Sequence, residues 1–386
     1  LNSRPVTCLL AFALGTQAGP AAARDILPAV PTPEEAPIAL LVDASSGQVL
    51  FARETERRFV PASITKVMTS YVAFELMHEG RIKPDQIFAM DAEAFRNWRR
   101  KGSTMFLGLG EPVSVDMLLH GITTVSANDG SIVLAKGVSG SVEGWVALMN
   151  VKARQLGMRD SHFGLPNGWM DEGRTYVSAR DLALLGRTLV TRHKDLYHRY
   201  YGQRTFTFNG ITQQNHDPIT GVVPGADGIK TGFTEQAGYG FLGTAQRGGE
   251  RLVMVVAGVD DGRTRRKAAQ QFMEWGFAAF DRHVLLPDHA RLGVAEVQGG
   301  ASREVRLTTD EAVSALLPRG ESAKFATVLH YAGPIEAPIR KGEQIAQLEV
   351  RINGKRSHWL PVVAAETVSR ANIFQRLRNG LLGLLG

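Results

Sequence analysis

The sequence predicts an α+β fold, an antiparallel sheet with helices on its faces, followed by a small all-β domain. Three observations predict it. Strand patterns open the chain and return after residue 238, and helical periodicity fills the stretch between. Strands segregated from helices in this way favour an antiparallel sheet over a run of βαβ units. After Pro287 the helical period is lost, and residues 288–366 read as β-rich. A length of 386 residues accommodates two domains, and 44% hydrophobic residues supply cores that need no staples.

The elements follow in order. Residues 1–23 have the pattern of a secretory leader: Arg4 as a basic start, an apolar run over 6–14, and small residues at 21–23. The run is too short to span a bilayer. It contains Cys8, the only cysteine, so the mature chain is expected to hold none and to form no disulfide framework. Residues 24–37, rich in Pro and Ala, read as a flexible lead-in. Residues 38–42 and 49–52 read as strands joined through Ser45-Ser46-Gly47-Gln48. Pro61 precedes a helix over about 63–77, with Val67, Tyr71 and Phe74 on one side. Residues 114–157 are mainly helical in pattern. Ser178 can cap a helix over 178–194, where Leu182, Leu185 and Leu189 repeat at helical spacing. Strands are expected over 238–245 and 251–259 around the turn Arg247-Gly248-Gly249-Glu250, then a helix over 264–280.

A domain boundary is expected near 285–290, between a first domain over 38–286 and a β-rich domain over 290–366. In the latter, Leu348, Val350 and Ile352 alternate with Gln347, Glu349 and Arg351, and Asn353-Gly354 is a strong hairpin signal. Residues 369–386 form an amphipathic pattern. Ile373, Phe374, Leu377, Leu381, Leu384 and Leu385 share an arc opposite Arg370, Arg376 and Asn379. Such a basic tail suits the surface of a membrane. A helix docked on its own domain is the plainer alternative.

The net charge is +6, and losing Arg4 with the leader leaves +5. That modest, scattered basicity suits anionic surfaces such as lipid head groups or cell wall. Without a zinc pattern or a dense basic helix, nucleic acid is not an expected partner. The ten histidines form no metal motif, and no glycine-rich nucleotide loop is present, so no metal and no cofactor are expected. His120 and His216 stand alone and read as structural or exposed.

Three short motifs occur in order: Ser63-Ile64-Thr65-Lys66, Ser126-Ala127-Asn128 and Lys230-Thr231-Gly232. Each alone is weak. Ser63 could be only a helix cap, and Lys66 only a solvated surface lysine. Their conjunction is strong, because S-x-x-K, S-x-N and K-T-G together mark penicillin-binding proteins and serine β-lactamases. The chemistry accounts for the residue types. A serine hydroxyl needs a base to become a nucleophile. At i and i+3 on a helix, Ser63 and Lys66 share a face. A lysine serves as base only when desolvation or a second cation lowers its pKa, and Lys230 is the candidate for that cation. The helix N-terminus at Ser63 offers N–H groups to a developing oxyanion.

Beyond these motifs, Lys101-Gly102-Ser103-Thr104-Met105-Phe106, residues 176–183 (Tyr-Val-Ser-Ala-Arg-Asp-Leu-Ala) and Asp227-Gly228-Ile229 also fit. With them the chain resembles the low-molecular-weight penicillin-binding proteins that act as D-Ala-D-Ala carboxypeptidases, over almost its whole mature length. The resemblance implies a β-lactamase/transpeptidase-like fold. It implies an acyl-enzyme on Ser63, with Lys66 as general base. Ser126 and Lys230 would pass a proton to the leaving D-alanine. Asn128 would bind the substrate amide and hold Lys66. Thr231 and Arg265 would bind the terminal carboxylate, with Arg263 and Arg266 as rivals of Arg265. The backbone N–H groups of Ser63 and of Phe233, next to Gly232, would form the oxyanion hole. The implied partners are peptidoglycan stem peptides and β-lactam antibiotics. The implied location is the periplasmic side of the bacterial cell membrane.

The sequence departs from the family at Phe233, where some relatives have histidine, and at Pro166-Asn167-Gly168-Trp169, where many read P-H-G-L. Ala127 replaces a common glycine. A β-lactamase would need a deacylating glutamate in an E-x-x-L-N segment, and none lies between Asn128 and Lys230. An idle wall-binding scaffold would be expected to have lost Ser63, Lys66 or Lys230.

Overall fold

A computed structural model describes residues 9–12 and 29–375. Residues 1–8, 13–28 and 376–386, which include most of the expected leader and of the expected amphipathic tail, lie outside the described residues. The chain forms two compact units. One comprises Asp25–Ser45 and Val49–Ala278, and the other is built mainly from Ala279–Gly386.

The first unit centres on a five-stranded sheet. Its order is Val49–Arg53, Ile38–Asp43, Glu250–Val259, Gly238–Arg247 and Ala226–Thr234. Every neighbouring pair is antiparallel. The first and last strands of the unit meet at its middle, Leu41 opposite Met254. Both faces are covered, and glycine sets how closely. On one face the helix Ala179–Arg192 presents Gly186, where a Cβ would stand 3.2 Å from side-chain atoms of Ile229, Leu242 and Val253. On the other, Gly276 of the helix Gly262–Ala279 comes so near that a Cβ would stand 2.6 Å from Leu41 and 2.8 Å from Leu252. Ser178 caps the first of these helices, its Oγ accepting from the Asp181 N–H at 3.2 Å.

The helical stretch predicted over 114–157 is three helices, Val115–Thr124, Asn128–Ser139 and Val142–Leu156. Gly140 and Gly157 end the second and third in left-handed conformations, which a side chain would strain. The helix predicted over 63–77 begins differently. A 3₁₀ turn, Ala62–Thr65, precedes the α-helix Lys66–His78. The strand Ala226–Thr234 is an edge strand that contains Lys230-Thr231-Gly232.

The second unit is β-structured. The strand Phe280–Leu286, missed by the helical reading up to 280, pairs with Val313–Pro318. A seven-stranded sheet holds Gln344–Ile352 against Lys355–Ala364. Asn353 and Gly354 both have positive φ, 51° and 77°, as a tight hairpin turn demands. Of the alternation read over 346–352, Leu348 and Val350 are buried in the core of this unit, but Glu349 between them is buried as well, paired with His330 and Arg351, and Ile352 is only partly buried. Residues 9–12 pair antiparallel with Phe325–Val328 at its edge.

Candidate active site

Ser63 lies in the 3₁₀ turn and Lys66 begins the α-helix behind it. The Lys66 ammonium group is fully buried and makes three hydrogen bonds. It donates to Ser63 Oγ at 3.0 Å, to Asn128 Oδ1 at 2.7 Å and to the Asn167 carbonyl at 2.6 Å. Burial pushes its pKa well below that of a free lysine, the Lys230 ammonium pushes it further the same way, and Asp129 opposes both. A deprotonated amine beside a serine hydroxyl is what general-base activation requires.

Two segments hold this arrangement. The Pro166–Trp169 loop packs on the Ser63 turn. Its Pro166 carbonyl accepts from Thr69 Oγ1 at 2.6 Å, and its Gly168 has no room for a side chain beside the Ala62 carbonyl. The loop that starts at Lys101 packs on Asn128: the Lys101 carbonyl accepts from Asn128 Nδ2 at 2.9 Å, and the Ser103 carbonyl from the Asn128 N–H at 2.8 Å. Trp98 and Trp169 meet edge to face at 6.2 Å, and the Lys101 ammonium lies 4.8 Å and 5.2 Å from their ring centres.

Ser126 precedes the Asn128 helix in a left-handed conformation, φ 63°, and its buried Oγ has no hydrogen-bond partner among the described residues. Across the site, Gly232 of the edge strand abuts the Ser63 turn. A Cβ there would collide with the Pro61 carbonyl oxygen and stand 3.3 Å from the Ile64 nitrogen. The K-T-G motif needs its glycine for this approach. Lys230 is buried, and its Nζ donates to the Thr231 carbonyl at 3.1 Å. Burial and then the Arg265 guanidinium push its pKa down to about 7, against the pull of Asp217. Phe233 is about half exposed, its ring stacked on Tyr239 at 4.1 Å. Arg265 lies over Tyr239 at 5.5 Å, its buried Nε without a hydrogen-bond partner among the described residues, whereas Arg263 and Arg266 are exposed.

The structure thus joins Ser63, Lys66 and Asn128 directly, and Lys230 and Arg265 through their fields. Sequence reasoning missed the use of the Asn167 carbonyl, which no side-chain motif announces. It also set aside His216, whose pKa is lowered by burial and by Lys230 and Arg265, so this histidine lies in the field of the site. Asp129, next to Asn128 in sequence, was within reach of a motif reading and was passed over. Among the described residues no group of His, Cys, Asp and Glu could hold a metal ion.

A serine beside a desolvated lysine, between an all-antiparallel sheet and a helical layer, is the arrangement of a serine acyl-transfer enzyme. Residues 28–261 match the family model for D-alanyl-D-alanine carboxypeptidase, and residues 280–370 match that for the penicillin-binding protein 5 C-terminal domain. The chain is 33% identical to D-alanyl-D-alanine carboxypeptidase DacC of Escherichia coli over 343 residues, 88% of this chain and 85% of the relative. It is 33% identical to DacA of the same organism, over 92% of this chain and 88% of that one. Penicillin-binding protein 5 from Haemophilus influenzae superposes with a TM-score of 0.74 at 31% identity, covering 89% of this chain and all of that structure. Penicillin-binding protein D2 from Listeria monocytogenes, solved in an ampicillin-bound form, gives 0.54 at 27% identity over 63% of this chain and 97% of that one. The chain belongs to the D-alanyl-D-alanine carboxypeptidase family, the serine peptidases among the low-molecular-weight penicillin-binding proteins.

Proposed function

We propose that this carboxypeptidase removes the terminal D-alanine of peptidoglycan pentapeptide stems through an ester on Ser63. The observation that carries the reading is the fully buried Lys66 amine, 3.0 Å from Ser63 Oγ. Neutral Lys66 keeps its two N–H donors on Asn128 and Asn167 and takes the hydroxyl proton on its lone pair as Ser63 attacks the carbonyl of the D-Ala–D-Ala bond. The Ser63 and Phe233 N–H groups receive the oxyanion, as fixed donors do at developing charge. Ser126 and Lys230 return a proton to the leaving amine. Asn128 holds the substrate amide, and Thr231 and Arg265 hold the terminal carboxylate, for which a guanidinium is well suited. Water then cleaves the ester. β-Lactams acylate the same serine.

The finer organisation belongs to the same proposal. Residues 1–23 are a signal peptide, whose cleavage would remove the strand of residues 9–12 from beside Phe325–Val328, and 24–37 a lead-in. The catalytic domain runs over 38–286 and a β domain over 290–366. Residues 369–386 lie on the periplasmic face of the cell membrane. Exposed Ile373 and Phe374 at the start of that tail support the last point. The test is release of D-alanine from a peptide ending in Lys-D-Ala-D-Ala by mature protein and by Ser63→Ala. Release by the wild type alone supports the reading. Release by both overturns Ser63 as nucleophile, and release by neither overturns the substrate.

A further inference from the structure

Asp129 is 1% exposed, and its carboxylate accepts hydrogen bonds from three backbone N–H groups. Oδ1 accepts from Met105 at 3.0 Å and from Gly130 at 2.9 Å, and Oδ2 accepts from Leu107 at 3.1 Å. Phe106, between the two loop donors, is left-handed with φ 64°, and its ring is 41% exposed. Alternate N–H groups converging on an anion around a left-handed residue form a backbone nest. A bulky residue is strained in that conformation, and the carboxylate helps hold the loop in it, beside Gln213 Nε2, which donates to the Thr104 carbonyl at 3.0 Å. The same loop supplies the Lys101 and Ser103 carbonyls that fix Asn128, and Asn128 fixes Lys66.

We propose that Asp129 is a positioning residue for the reaction, anchoring the Lys101–Leu107 loop and, through it and Asn128, holding Lys66 against Ser63. This rests on the function proposed above. The charged groups bearing on Lys66 are Lys230, from the edge strand, and Asp129 itself, from the Asn128 helix; Asp129 is the one anion among them, and it raises the Lys66 pKa. Removing the charge therefore makes two separable changes. The site loosens, and Lys66 loses its proton at lower pH.

The experiment measures acylation by a fluorescent penicillin between pH 5 and 10 for the full chain, for Asp129→Asn and for Asp129→Glu. Asp129→Asn is expected to lose about tenfold to a hundredfold at the optimum, the scale of a displaced reacting group. Its acid limb is expected to move down by on the order of one pH unit, as when an opposite charge leaves a buried neighbour. Asp129→Glu is expected to retain the wild-type limb. Wild-type rates in Asp129→Asn, or a lower rate with an unmoved acid limb, overturn the proposal. Hydrogen exchange on the wild type keeps the inference testable where the variant does not fold or no penicillin is bound. Protection of the Met105 and Leu107 amides to the level of the Asn128–Ser139 helix is expected, and rapid exchange of both overturns the anchoring.

Discussion

Gly168→Ala tests how tightly the site is built. The glycine has φ +68°, and an alanine there would run into the Ala62 carbonyl oxygen. The Ala62 carbonyl carbon lies 2.6 Å from where the Cβ would sit, about 0.8 Å inside the 3.4 Å at which ordinary contact begins. The left-handed backbone itself costs an L-residue about 1–2 kcal/mol. Retreat of the loop is opposed by two bonds of 2.6 Å, Lys66 to the Asn167 carbonyl and Thr69 to the Pro166 carbonyl. Either the Ser63 turn shifts by most of an ångström or Lys66 loses one of its three acceptors. A shift of that size near reacting groups costs on the order of a hundredfold in rate. Strain and collision together should cost roughly 2–4 kcal/mol of stability, in the upper range for a single substitution. The assays are stopped-flow acylation by a fluorescent penicillin and thermal unfolding by calorimetry. Gly173→Ala is the control: it has φ +81° but no atom within 4 Å of the added Cβ, so it carries strain without collision. It should lower stability by about 1–2 kcal/mol and leave acylation unchanged. Acylation by Gly168→Ala within threefold of wild type, or equal effects of the two substitutions, would refute the reasoning.

Two further outcomes follow from buried titrating groups. Lys230 titrates at about 7 in the folded chain against 10.5 for a free lysine, so below about 7 folding bears the cost of burying a charge beside Arg265. Lys230→Met should therefore stabilise the fold at pH 7 by roughly 2 kcal/mol while abolishing D-alanine release. The advantage should shrink as pH rises from 7 toward 10, and urea titrations showing an advantage independent of pH would count against the assignment. His193 is buried 3.1 Å from Glu75, and burial pushes its pKa down to about 4 from 6.5. The unfolded chain takes up this proton first, so stability present above about pH 6.5 is lost as pH falls toward 4, by no more than roughly 3 kcal/mol. Urea unfolding of wild type and His193→Gln at pH 7 and pH 5 checks this; an equal loss in both would show that other groups set the slope.

Much of the fold was legible because burial imposes periodicity. Leu182, Leu185 and Leu189 recur at helical spacing because one face of that helix covers the sheet, and the alternation from 347 to 352 exists because one face of that strand lines a core. Ser63 and Lys66 could be paired from sequence, since helical geometry alone puts i and i+3 together. Asn353-Gly354 announced its turn because both residues must adopt positive φ, which few residue types tolerate. The edge strand through Lys230 was harder. Ile229 is its one large buried apolar side chain, so the period-2 signal is faint, and the strand is specified by pairing with Gly238–Arg247 rather than by its own pattern.

The sequence by itself determined the chemistry: which hydroxyl, which amines and which amide are available, in an order that few chains share. The tertiary structure decided their states. The Lys66 pKa is lowered because 0% of the residue meets water and a second ammonium group, 164 positions along the chain, bears on it. Its third acceptor is a main-chain carbonyl, Asn167, which any residue type could have supplied. Desolvation, the field of distant charges and backbone acceptors depend on where the chain closes on itself, and local sequence spacing carries no record of them.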